Sequence, residues 1–185
     1  MVYFEFYTVI AGWIEGQIIV DEKNKYFHYS WITNFLDDLL KAVLYIGGYL
    51  DNANLDKFTA HLEPAIDDWS LSKKGTQLMI AINRFENETR KELIESVRMQ
   101  CDYYDFVQSF FNALTKIIKK TGLYGYRVEW NEEFPLALYL KLYDVVNNTD
   151  FLDLKELTLE ETCGRKGQAT DINKEFALLT DIFNL

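Results

Sequence analysis

Val2-Tyr3-Phe4-Glu5-Phe6-Tyr7-Thr8-Val9 is the stretch on which the fold class turns. Val2, Phe4 and Phe6 fall on one side of an extended chain and Tyr3, Glu5 and Tyr7 on the other, which is the two-residue period of a strand. Gly12 and Gly16 punctuate the next segment, and Gln17-Ile18-Ile19-Val20 reads as a second strand. Asp21 to Lys25 reads as a polar turn and Tyr26 to Tyr29 as the hairpin partner. The chain is therefore expected to open with a three-stranded meander.

The next period is helical. Ile32, Phe35, Leu36, Leu39, Leu40, Val43 and Leu44 make one apolar face, with Ser30 as the expected N-cap and Gly47-Gly48 as the stop. A looser stretch from Asp51 to Thr59 leads to a second β region. There Trp69-Ser70-Leu71, a turn at Lys73-Lys74-Gly75-Thr76, and Leu78, Ile80 and Ile82 predict a hairpin, with Pro64 outside any central strand. Residues 90–101 fit both periods, and the strand is preferred because it completes the meander.

A second helix is predicted from Asp102, with a stripe running from Tyr103 and Phe106 to Ile117 and Ile118. Lys119 and Lys120 suit its negative end, and Gly122 stops it. Tyr124 to Trp130 reads as a short aromatic link. Asn131 is the expected N-cap of a third helix through Leu136, Tyr139, Leu140 and Tyr143, with Pro135 in its first turn. From Thr149 the texture changes. A Gly164-Arg165-Lys166-Gly167 knot precedes a terminal amphipathic helix with Ile172, Phe176, Leu179, Ile182 and Phe183 on one face.

Strands grouped in meanders between helices predict an α+β fold: mainly antiparallel sheets packed against about three helices, with a C-terminal helical tail. Residues 1–148 are expected to form one domain. Residues 149–185 would be an extension docked on that domain or on a second copy, leaving monomer and homodimer both open.

Charge narrows the partners. The chain has 29 acidic and 19 basic residues, a formal net charge of −10. Such a surface repels phosphate backbones and anionic lipid, so neither nucleic acid nor membrane is an expected partner, whereas a basic protein would be steered toward it. No apolar run nears the ~20 residues of a membrane span. Met1 to Phe6 lacks the basic start of a signal peptide, so a cytoplasmic location is expected. Two cysteines, Cys101 and Cys163, make no disulfide framework.

Groups suited to chemistry are sparse. His61 and Glu63 would share a face of a strand, and with Arg127 they are the polar groups that could converge in a pocket. Neither His28 nor His61 stands in a metal-binding spacing, and no cofactor or metal is expected. Asp67-Asp68 before Trp69, and Glu129, Glu132 and Glu133 around Trp130, resemble the carboxylate pairs of sugar-processing sites, and a solvated face explains them more simply. Asp102 would oppose activation of the Cys101 thiol. The phosphate-loop and hydrolase motifs are absent from the sequence.

Three readings fit this pattern. The first is a non-catalytic interaction module, with Tyr124, Tyr126, Glu129, Trp130, Glu132 and Glu133 as an acidic-aromatic face for a basic partner. In composition it is similar to bacterial immunity proteins and antitoxins, an analogy that no motif carries. The second is a small-ligand-binding domain with an aromatic-lined pocket at His61, Glu63 and Arg127. The third, an enzyme using His61 and Glu63, ranks last.

Overall fold

A computed structural model of the chain describes residues 1–51, 54–149, 155–156 and 168–184. The described residues are α+β, with antiparallel sheets and five helices. Strands β1 (Val2–Ile10), β2 (Trp13–Val20) and β3 (Lys23–Ser30) form the first sheet in that order. Its first turn, Ala11-Gly12, has positive φ at both residues, the conformation two-residue hairpins favour. At Gly16 there is no room for a side chain, because a Cβ would press into the Glu5 carbonyl and the Phe27 ring. The expected strand at Tyr26 starts earlier, so Lys25 belongs to β3 rather than to a polar turn.

Helix α1 (Phe35–Gly47) follows the predicted stripe, but Asn34 occupies the N-cap position. Ser30 instead ends β3, with its hydroxyl buried and without a hydrogen-bond partner among the described residues. The second sheet has four strands, β4 (Lys57–Leu62), β5 (Ala65–Lys74), β6 (Gln77–Phe85) and β7 (Leu93–Asp102), paired in sequence order. The strand reading of residues 90–101 holds, because Val97, Met99 and Cys101 continue the inward face opposite Ile82, Ile80 and Leu78.

Helix α2 (Tyr103–Thr121) begins at Asp102, whose carboxylate accepts from the Tyr104 and Asp105 amides. It lies along β1, where the Phe4 amide donates to Ser109 Oγ at 2.8 Å and Lys120 Nζ donates to the Tyr7 carbonyl at 3.1 Å. The aromatic link is in fact helix α3 (Leu123–Trp130), which raises the helix number above the three expected. Asn131 is not an N-cap. It closes α3 at φ 65°, a left-handed conformation that asparagine tolerates, and α4 (Leu136–Asn147) starts after Pro135.

A two-residue pair, β8 (Lys155–Glu156) with β9 (Gln168–Ala169), precedes α5 (Ile172–Phe183). The inward side of α5 is Leu178, Ile182 and Phe183, with Phe183 stacked 6.1 Å from Tyr139. The expected face is thus rotated, and Ile172 and Phe176 are exposed. Cys163 and the Gly164–Gly167 knot lie outside the described residues.

One core joins these elements. Phe4, Phe6, Phe27 and Phe110 interlock at centroid distances of 5.0–6.3 Å. Phe35 bridges them to Tyr29 at 4.7 Å and to Trp69 at 5.6 Å. With each aromatic burying roughly 150–250 Å², this cluster supplies much of the interior. It leaves the outward faces of both sheets to solvent.

Candidate interaction surface

The segment expected to present an acidic-aromatic face lies on and after α3, and the fold divides it. Tyr126 and Trp130, spaced i and i+4, both point inward and are fully buried. The Tyr126 ring lies 5.5 Å from Phe134, and Trp130 Nε1 donates to Asn34 Oδ1 at 3.4 Å. Burial, then the charges of Asp37 and Glu132, push the Tyr126 hydroxyl well up, and it has no hydrogen-bond partner among the described residues. Neither aromatic is a surface anchor. Glu129 is engaged internally, its carboxylate accepting from the Ala11 amide at 2.8 Å and its carbonyl from Gly12. Glu133 pairs with Arg127 at 2.9 Å. Tyr124, at 81% exposure, Glu132 and the Arg127-paired Glu133 are what remain outside.

No hydrogen bond or ion pair joins His61, Glu63 and Arg127 among the described residues. Strand β4 ends at Leu62, so Glu63 sits in the turn rather than beside His61 on a strand. His61 Nδ1 faces Glu88 Oε1 at 3.7 Å, while Arg127 is held on α3 by Glu133. Asp67 and Asp68 are not a working pair either, because adjacent strand residues project to opposite faces. Cys101 is buried, and burial followed by Asp102 and Asp105 pushes its thiol up to about 11, so at neutral pH it is protonated and unreactive.

What the fold does bring together is a buried ionic network between the two sheets. Asp67, with no exposed surface, accepts from Arg84 Nε and Nη2 at 2.8 Å each and from the Tyr29 hydroxyl at 2.7 Å. The same hydroxyl accepts from Trp69 Nε1 at 2.9 Å. Lys25, 2% exposed, places Nζ 3.5 Å from Asp67 Oδ2 and 2.6 Å from Glu95 Oε2. Hydrogen bonding to Asp67 raises the Arg84 guanidinium further. Burial, then the Asp67 charge, drives the Tyr29 hydroxyl well above its usual value. Two cations and two carboxylates hold one another, so the network fixes β3 against β5, β6 and β7 and serves as a joint.

Its signal in the sequence lay in the strand period. Lys25 continues the stripe of Phe27 and Tyr29, Asp67 that of Trp69 and Leu71, Arg84 that of Ile80 and Ile82, and Glu95 that of Val97 and Met99.

The surface with exposed aromatics is the outer face of β1–β3. Tyr3, Tyr7 and Tyr26 project from it, with Tyr7 and Tyr26 stacked at 6.3 Å and 25°. Tyr7 stands at an irregularity of register between Phe6 and Thr8, the extra residue of a bulge. Trp13 packs on His28 at 4.4 Å, and His28 Nε2 lies 3.4 Å from Glu15 Oε1. Partial burial, then Glu15, raises the Tyr26 hydroxyl. Ile10, Trp31 and Ile32, each more than half exposed, extend the apolar surface near the first turn. The carboxylates on this face are Glu5, held by Lys116 at 2.7 Å, and Glu15.

The chain matches no protein-family model, no curated protein and no solved structure. No helix among the described residues is long and apolar enough to cross a membrane, and those residues contain no cluster of three or more metal-ligating side chains.

Proposed function

We propose that this protein is a non-catalytic interaction module that presents the outer face of β1–β3 to a basic protein partner, in the manner of an immunity protein or antitoxin. The observation that carries the reading is the row of exposed tyrosines, with Trp13 and Trp31, on a sheet face whose outward charges are carboxylates. Tyr and Trp contribute large contact area at small ordering cost and dominate interface energetics. The net charge of −10 steers a cationic partner to the molecule. Tyr124, Glu132 and Glu133 offer a single exposed ring, too few aromatics to form such a face by themselves.

The test is capture from native lysate at low and at high salt by the wild-type chain and by Tyr7→Ser/Tyr26→Ser/Trp31→Ser, with mass spectrometry of what is retained. A single basic protein held at low salt by the wild type, released by salt and lost in a triple variant of unchanged unfolding midpoint is the expected result. Equal retention by the two chains, or retention of no basic protein, overturns the proposal.

A further inference from the structure

The outer face of β4–β7 carries a cleft of about 510 Å³, within the size range of small-molecule sites. Register places Lys57 opposite Ser70, Ser70 opposite Ala81 and Ala81 opposite Arg98, a row across all four strands. With neighbouring strands about 4.8 Å apart, the two cations rise from backbone positions about 14 Å apart, on either side of a floor of two small side chains.

The next row is Thr59, Asp68, Asn83 and Ser96. Here Arg90 is locked: Nε and Nη2 donate to the Asp68 carboxylate at 2.7 and 2.9 Å, Nη2 also to Thr59 Oγ1, and Nη1 to the Glu88 carbonyl. Asp68 therefore neutralises Arg90 and forms one wall. Ser96 donates to Asn83 Oδ1 at 2.7 Å, which leaves the amide nitrogen of this cleft-lining residue to donate elsewhere. Among the described residues neither Lys57 nor Arg98 has a carboxylate partner for its side chain. In a chain with ten more acids than bases, two unpaired cations facing each other over one cleft form a local inversion of charge.

We propose that this cleft binds a small molecule carrying two anionic groups, one at Lys57 and the other at Arg98, with the Ser70 hydroxyl and the Asn83 amide donating between them. Single-stranded nucleic acid on an open sheet relies on aromatic stacking, and the outward residues of this row are serine and alanine, which offer none. Arginine favours bidentate capture of carboxylate or phosphate, and lysine serves as a point charge for either.

Calorimetric titration of the full chain with succinate and pyrophosphate, each carrying two anionic groups, and with acetate as the single-charge control, tests this at low ionic strength. At least one of the first two is expected to bind with a Kd below about 1 mM, and acetate at least about tenfold more weakly. Lys57→Gln and Arg98→Gln, both outward and unpaired, each weaken that binding about tenfold. Lys119→Gln, the same single-charge change elsewhere, leaves it unaltered. The proposal is overturned if neither succinate nor pyrophosphate binds below about 1 mM, if acetate binds equally well, or if the control variant loses as much affinity. Carboxylate and phosphate sources are separated by which of succinate and pyrophosphate binds.

Discussion

The outer face of β1–β3 and the outer face of β4–β7 rest on the same interior but differ in what they offer. The first is tyrosine and tryptophan with two carboxylates; the second, around its cleft, is serine, alanine, threonine and asparagine under three cations and one clamped aspartate. Inward, both sheets follow one rule, with apolar side chains at alternate positions. The core therefore leaves the outward positions free, and the proposed roles of the two faces rest on their divergence there. One face suits a broad protein contact and the other a small charged ligand.

The contrast depends on the joint between the sheets, and removing that joint has the largest expected effect. Asp67→Ala strips Arg84 and Lys25 of a shared buried anion and should cost about 3–5 kcal/mol in urea unfolding. A loss of only a few tenths would mean that the sheets are held by packing alone. Gly16→Ala acts on the first sheet by itself. Its Cβ meets the Glu5 backbone and the Phe27 ring, and about 1–3 kcal/mol of destabilisation is expected. The anion affinity of the second sheet should survive this change, which calorimetry would show.

A smaller effect sits on the second face. Burial by itself would lift the Asp68 carboxyl, yet hydrogen bonds from Arg90 and Thr59 and the Arg90 charge hold it below its usual value. A lowered folded pKa means the unfolded chain binds the proton more tightly. The contribution is then complete above the ordinary carboxylate value of 3.8 and is lost as pH falls through the folded one. For this part-exposed pair it is under about 1 kcal/mol. Arg90→Ala should be less stable than wild type near neutrality, and the gap in urea midpoints should close as the pH falls below the ordinary carboxylate value of 3.8. A gap that persists in acid would assign Arg90 a packing role instead. Least of all, Tyr7→Ser/Tyr26→Ser should shift stability by no more than about 0.5 kcal/mol, measured by thermal unfolding. A larger loss would make these rings part of the fold rather than of an interface.

The strands were legible because each has one buried face, and alternation in Val2-Phe4-Phe6 or Leu78-Ile80-Ile82 is a direct imprint of that burial. Helix α3 is hard to see in the sequence because its apolar side is only Tyr126 and Trp130 in eight residues, with a glycine beside them at Gly125. That same brevity made two core aromatics resemble surface anchors. The ionic network was hidden for another reason. A charge at the end of an apolar stripe is compatible with solvent or with a partner, and the partner of Lys25 lies 42 residues away on another sheet, at Asp67. The cleft draws its two cations from strands that meet only through the sheet's register, so no local window contained it.

Helix α2 also guards an edge. A strand such as β1, long and aromatic, is a template on which other chains can add and grow into insoluble ribbons. Ser109 takes up the Phe4 amide and Lys120 the Tyr7 carbonyl on the side where such growth would start. The helix is thus a gatekeeper against polymerisation, and it lets the molecule display tyrosines on the sheet face while its flank stays closed to ribbon growth.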